Sequence, residues 1–482
     1  MNRSLRRVAV AALVMFLALL INDNVVQVGQ ADSLRANPLN KRVLYSEYSH
    51  KRGPIIVDGR AVALSRSVGG LFKYQRFYPG GPAYAPLTGY YSLIYGATDV
   101  EQTENAILSG DSDKLFVRRI SDYFTGREPQ GGAVELTINA RAQQTAFQAL
   151  AGKRGAIVAL DPHTGKILAL ASSPSFDPNP LASHQTSTVR RAYTALANSG
   201  SSPLLDRAIA QTYPPGSTFK VITAAAALES GRYTPSSMLA APNQLSLPQT
   251  THTLQNFQGE QCTGGSKISL ADALRVSCNT AFGGLGLKLG GDALKRQADA
   301  FGFGSSLSIP MSVAPSVVPS NIPPPQVAFS AIGQYDDAVT PLQMAMVAAA
   351  VGNGGRVMQP YLVAKTLAPD LSTLSTTSPH DLGQAVRPDV AAALTQMMES
   401  VVTGGTGLAA QIPGVSVAGK TGTAENVPGQ PTHAWFIGFA PAQNPQVAVA
   451  VLVEHGGIGG QTAAPIAKQV MEAVLSQSGA TP

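Results

Sequence analysis

The chain has 482 residues, room for two or three domains of ordinary size, and is 44% hydrophobic and only 13% charged. That apolar share is too high for a solvated coil, so the 47 glycines and 34 prolines mark ordered loops. A net charge of +6 suits a neighbour of anionic lipid or of a carboxylate-bearing polymer, but no Lys/Arg cluster has the density of a nucleic-acid site.

The N-terminus sets the compartment. Arg3, Arg6 and Arg7 precede an uncharged apolar run over residues 8–21, a basic flank before a hydrophobic core with the basic end staying inside. The run is short of the about 20 residues a span needs, and Asn22, Asp23 and Asn24 interrupt it before apolar residues resume. No small-x-small cleavage site follows directly. An uncleaved signal anchor is therefore preferred over a removed signal peptide, and in both cases the bulk of the chain lies outside the cytoplasm.

Residues 31–132 carry Tyr, Arg and Gly-Pro turns with short strand-like runs such as 54–58. No catalytic spacing occurs there, so this region reads as a structural pedestal. From 133 the pattern changes. Residues 134–138 predict a strand, 141–150 a helix, and 155–160 and 166–171 two strands joined by the turn at 161–165. A helix is predicted over 221–228, and a largely helical middle to about 290. A Pro-rich loop (309–325) leads to a helix over 341–351. Strands at 415–423, 434–439 and 447–453 and a helix over 465–475 close the chain. Strands at both ends with helices between argue for an α+β fold: an antiparallel sheet whose halves are distant in sequence, with an inserted helical region. The division is then an anchor (1–30), a pedestal (31–132) and a catalytic domain (133–482).

Ser217 follows a turn made by Pro214, Pro215 and Gly216, and opens the apolar helix with Lys220 three residues on and on the same face. A hydroxyl there has a base within reach and lies near the positive end of a helix dipole. No other lysine in the chain has a serine three residues before it. A plain N-cap is the commoner job of such a serine. Two later clusters argue against it: Ser277-Cys-Asn279 after a helical stretch, and Lys420-Thr-Gly-Thr423 on a strand. Each alone is weak, and the three in this order are a strong signal. His433 beside Trp435 reads as structural rather than as a general base, and Glu425 as a surface acid. Residues 414–421 match the phosphate-loop pattern GxxxxGK[ST], but Val415 to Val417 are strand-like and Gly422 and Pro428 follow instead of a helix. Cys262 and Cys278 read as free thiols in a cytosolic chain and as one disulfide in an exported one. No zinc-type spacing, HExxH or EF-hand loop is present, and no cofactor is expected.

The three clusters together resemble the motifs of penicillin-binding proteins and serine β-lactamases. Further stretches, at 155–178, 328–334 and 433–441, look like the transpeptidase domain of class B members. The resemblance covers about 133–476 well, and the anchor and pedestal in layout only. It implies a β-lactamase/transpeptidase-like domain and a peptidoglycan D,D-transpeptidase that is also acylated by β-lactam antibiotics. Ser217 is then the nucleophile, Lys220 its base, and Lys420 a second cation that lowers the pKa of that base. Ser277 relays the proton, Asn279 holds Lys220 and the substrate amide, and Lys420, Thr421, Gly422 and Thr423 form the strand facing the substrate carboxylate. The backbone N–H groups of Ser217 and Thr423 form the oxyanion hole. A disulfide from Cys262 to Cys278 would clamp one wall of this site. Residues 31–132 are too few for a glycosyltransferase domain, which implies a separate polymerising partner and a place in a division or elongation complex. The alternatives are a β-lactamase or D,D-carboxypeptidase on the same fold, in which water resolves the acyl-enzyme, and an idle scaffold or β-lactam sensor. The absence of an obvious water-activating carboxylate argues against the first, and intact motifs against the second.

Overall fold

A computed structural model of the chain describes residues 3–30, 45, 47–70, 72–426 and 429–476. The chain begins with helix α1 (Arg3–Asn24). Strands β1 (Ile55–Val57), β2 (Arg60–Ser67), β3 (Tyr74–Phe77) and β4 (Ala133–Leu136) follow, then helix α2 (Ala140–Ala149). Next come β5 (Gly155–Leu160) and β6 (Ile167–Ser173), the helices α3 (Lys220–Glu229), α4 (Asn279–Leu289) and α5 (Pro341–Gly352), and the strands β7 (Val363–Leu367) and β8 (Thr373–Thr376). The chain closes with helix α6 (Pro388–Gly404), strands β9 (Ala418–Ala424), β10 (His433–Ala440) and β11 (Val447–Val453), and helix α7 (Gly459–Leu475).

The catalytic part is built on a five-stranded antiparallel sheet in the order β9-β10-β11-β5-β6. Its halves are distant in sequence, as an α+β fold requires. Both faces are covered, and the pleat divides the side chains between two cores. Ala156, Val158 and Leu160 of β5 join Trp435, Ile437 and Phe439 of β10 on the side of α3 and α5. Ile157, Ala159, Phe436, Val449 and Val451 face the other way, with α2 and α7. Burial on both faces is why these strands read as continuous apolar runs rather than as alternation.

A second, six-stranded sheet has the order β8-β7-β4-β1-β2-β3. Its core pairing, β1 with β4, is parallel, whereas β4 with β7 is antiparallel. Residues from beyond position 360 therefore complete the sheet that begins at residue 55. Beside β1 and β3 lies a buried ionic knot, in which Glu101 accepts from Arg52 Nε (2.6 Å) and Arg76 Nε (2.5 Å).

Several elements differ from expectation. The middle is not helical throughout: short strands at Met238–Ala240, Gln244–Ser246, Thr253–Gln255 and Lys267–Ser269 occupy it. Gly231, at φ +67°, and Pro235, Pro242 and Pro248 break helical continuity there. Strand β9 starts at Ala418 rather than 415, because Gly414 (φ +73°) turns the chain and Val415 bridges back to Ile412. Helix α7 begins at Gly459 and carries Pro465 inside it, so that proline does not mark its start. At the N-terminus the α-helix ends at Asn24, the last of the polar trio 22–24, and a π-helical segment over Val25–Gly29 carries the helix on. The apolar helix runs over Arg3–Gly29, 27 residues with mean hydropathy 2.1 in its most apolar window, none of that window buried.

Candidate active site

Ser217 does not stand in the first turn of α3 itself. It lies one turn earlier, in a 3-10 turn over Gly216–Phe219, and the α-helix takes over at Lys220. Gly216 has φ +54°, and a Cβ on it would lie 3.0 Å from Ala424 Cβ and 3.1 Å from Thr423 O. The turn is thereby pressed against the end of β9. From behind, Gly216 N donates to Gly333 O (2.8 Å) and Trp435 Nε1 donates to Pro214 O (3.0 Å). Tyr213 is tied in too, its hydroxyl donating to Glu454 (2.8 Å), which also accepts from Arg207 Nε (2.8 Å).

The three clusters converge. Lys220 Nζ donates to Asn279 Oδ1 (2.7 Å) and Ser277 O (2.6 Å) and lies 3.2 Å from Ser277 Oγ. Lys420 Nζ, arriving from β9, donates to the same Ser277 Oγ (2.9 Å) and to Thr421 O (3.0 Å). One hydroxyl thus stands between two ammonium groups, both fully buried. Asn279 is held in turn, its Nδ2 donating to Gln255 O (3.1 Å). Ser277 has φ +61°, a left-handed conformation that a non-glycine residue adopts at a cost and that concentrates at functional sites.

The electrostatics match a lysine base. Burial lowers the pKa of Lys220 well below its usual value, and the Lys420 charge lowers it further. Burial also takes Lys420 down to about 7. The contacts of Lys220 pull the other way, since three acceptors around one Nζ suit a charged ammonium. A neutral amine has one hydrogen fewer and a free lone pair. Among the described residues no hydrogen bond joins the side chains of Lys220 and Ser217.

Ser217, Ser277, Asn279, Thr421 and Thr423 line one cleft of about 1180 Å³. Gly422 lies between the two threonines, where a Cβ would come 2.8 Å from Trp435 Cβ and 2.9 Å from Thr218 Cγ2. The backbone of Thr423 runs beside Gly216, one residue from Ser217. Cys262 and Cys278 are joined in a disulfide, which ties the cleft wall at 253–262 to the residue between Ser277 and Asn279. His433 stays off the cleft surface. Its Nδ1 accepts from His455 N (3.0 Å) and its Nε2 lies 2.9 Å from the Asn426 amide, so both nitrogens are engaged and burial lowers its pKa to about 4. Residues 414–421 make no phosphate loop, because a strand rather than a helix carries Lys420. The sequence did not single out Thr406, whose hydroxyl meets that of Thr421, or Tyr335 on the cleft edge, and it marked the neighbouring Gln334 only as the end of the resembling stretch 328–334. Each comes from a loop without local periodicity.

The profile described as the penicillin-binding protein transpeptidase domain matches residues 155–472. The chain belongs to that family. A profile described as the penicillin-binding protein A dimerisation domain matches residues 52–134, so the pedestal corresponds to a recognised family domain and the chain is a class B member. Among family relatives, the peptidoglycan D,D-transpeptidase PbpA of Mycolicibacterium smegmatis is 49% identical over 493 residues, spanning 99% of this chain and 100% of that one. Its Mycobacterium tuberculosis counterpart is 47% identical, over 98% of this chain and 99% of that one. The structure of M. tuberculosis penicillin-binding protein A as its imipenem acyl-enzyme is similar with a TM-score of 0.87 at 47% identity, covering 89% of this chain and 100% of that one.

Proposed function

We propose that Ser217 is the acylated residue of this serine D,D-transpeptidase of peptidoglycan. The observation that carries this assignment of roles is the Ser277 hydroxyl, in hydrogen-bond reach of both Lys220 and Lys420 on the cleft that holds Ser217. Ser217 Oγ attacks the carbonyl between the last two D-alanines of a donor stem peptide, giving its proton to neutral Lys220. Negative charge on the carbonyl oxygen falls between the N–H groups of Ser217 and Thr423. The C–N bond breaks as Ser277, recharged from the lysine pair, protonates the departing D-alanine. An amino group of a second stem peptide then attacks the ester, its proton passes back to Ser217 Oγ, and the cross-link is made. Thr421 and Thr423 hold the donor carboxylate through Oγ1, with Lys420 supplying the charge. A β-lactam enters the same path, but its leaving nitrogen stays tethered, so the ester persists.

The 27-residue apolar helix is long enough to cross a bilayer at about 1.5 Å per residue. With its basic N-terminal flank it fits a single-pass anchor in the cytoplasmic membrane, with the catalytic domain outside, at the anchor, pedestal and catalytic divisions of 1–30, 31–132 and 133–482. A separate glycosyltransferase within the division or elongation machinery would then supply the glycan strands. Mass spectrometry of the protein after benzylpenicillin tests the reading. The expected result is one stable adduct on the peptide containing Ser217, absent from Ser217→Ala. Rapid turnover of the drug with no adduct would instead make the protein a β-lactamase.

A further inference from the structure

The cleft has an uneven distribution of charge. Among the described residues, Glu260 and Glu425 are the only charged side chains on its lining surface, with Lys220 and Lys420 buried beneath. Glu425 makes no hydrogen bond or ion pair with any described residue. Glu425 is the first residue beyond β9, directly after Ala424. Thr421, Thr423 and Glu425, two apart, all face the cleft, whereas Gly422 and Ala424 do not. The Ser217 turn abuts Thr423 and Ala424, which puts Glu425 just past the nucleophile on the side away from Thr421.

Substrate polarity along this strand then identifies what Glu425 meets. This step rests on the transpeptidase reading above. With the donor carboxylate at Thr421 and the scissile carbonyl at the Thr423 N–H, the residues preceding the scissile bond continue toward Glu425. Four residues of extended chain, as from Thr421 to Glu425, span at most about 13 Å, the reach of the D-alanine pair, the residue before it and an extended side chain. The cross-linking proposed above consumes an amino group of a neighbouring stem, and donor and acceptor are copies of one polymer unit. The donor therefore carries the same amine. We propose that Glu425 is a specificity-determining residue that pairs with the side-chain ammonium of the donor's diamino residue, so that the enzyme accepts as donors the stems whose amine is still free.

The test compares acylation of the protein by two donor peptides ending in D-Ala-D-Ala, one with a free side-chain amine and one with that amine acetylated. The ratio of the two rates within one variant is the readout, and stoichiometric labelling of Ser217 by benzylpenicillin at saturation checks that each variant is folded. The wild type should prefer the free amine by about fivefold, the size of a partly solvated ion pair, and less at high salt. Glu425→Gln should bring the ratio near one, Glu425→Lys should reverse it, and Glu260→Gln should leave it in place. No preference in the wild type, a preference that survives Glu425→Gln, or one that disappears with Glu260→Gln would overturn the proposal. Failure of benzylpenicillin to label wild-type Ser217 would instead bring down the transpeptidase reading, and this one with it.

Discussion

At the scale of single residues, the two buried lysines set how the protein responds to pH. Both are pushed down by burial, and Lys220 is pushed further by Lys420. If, as proposed, the base form of Lys220 takes the proton of Ser217, acylation by benzylpenicillin should rise with pH along an acidic limb. Replacing Lys420 by Ala removes the second cation, so the Lys220 pKa rises and that limb moves to higher pH, with an overall rate loss of about 10²–10⁴-fold. Pre-steady-state acylation measured across pH checks both effects, and an unmoved limb would refute the coupling. Stability follows the same sign. Between a lowered folded pKa and the ordinary value near 10.4, the unfolded chain binds more protons, so the lysines favour folding increasingly as pH rises through that window. For Lys420 the window opens at about 7.

At the scale of elements, the site depends on how closely backbone approaches backbone. Gly333 has φ +72°, and a Cβ there would lie 2.1 Å from Gly216 O and 2.7 Å from Phe219 Cβ. Gly333→Ala should therefore displace the Ser217 turn and slow acylation by about 10²-fold, the effect of a misplacement of about 1 Å. Rates alongside a melting temperature separate displacement from unfolding, and a wild-type rate would show that the turn is held otherwise. The same closeness explains what could be read in advance. Ser217, Lys220, Ser277, Asn279 and Lys420 were legible because the chemistry needs those residue types at short local spacings. Strands β5, β10 and β11 were legible because burial on both faces makes unbroken apolar runs. The strands between residues 238 and 269 were not. They are three residues long, pair across loops and have too few positions to show a period. Thr406 carries no signal either, and Gly333 only as part of the resembling stretch 328–334, since the importance of both lies in contacts with sequence-distant backbone and side chain.

At the scale of the whole molecule, the six-stranded sheet joins the two regions. A chain beginning at residue 133 would lose β1 beside β4 and expose an unpaired strand edge. Such a protein should aggregate or melt well below one beginning near residue 45, which light scattering and thermal unfolding would check; equal behaviour would show the pairing to be dispensable. The ionic knot of Arg52, Arg76 and Glu101 would go with it, all three being buried. The sheet also orders events during synthesis. Strand β7 is made more than two hundred residues after its neighbour β4, so β4 leaves the ribosome long before its second partner exists. Until then β4 has one unpaired edge, and only a chain translated past residue 367 can pair it. A prematurely ended product would keep that edge bare, a feature by which a chaperone or protease could recognise it.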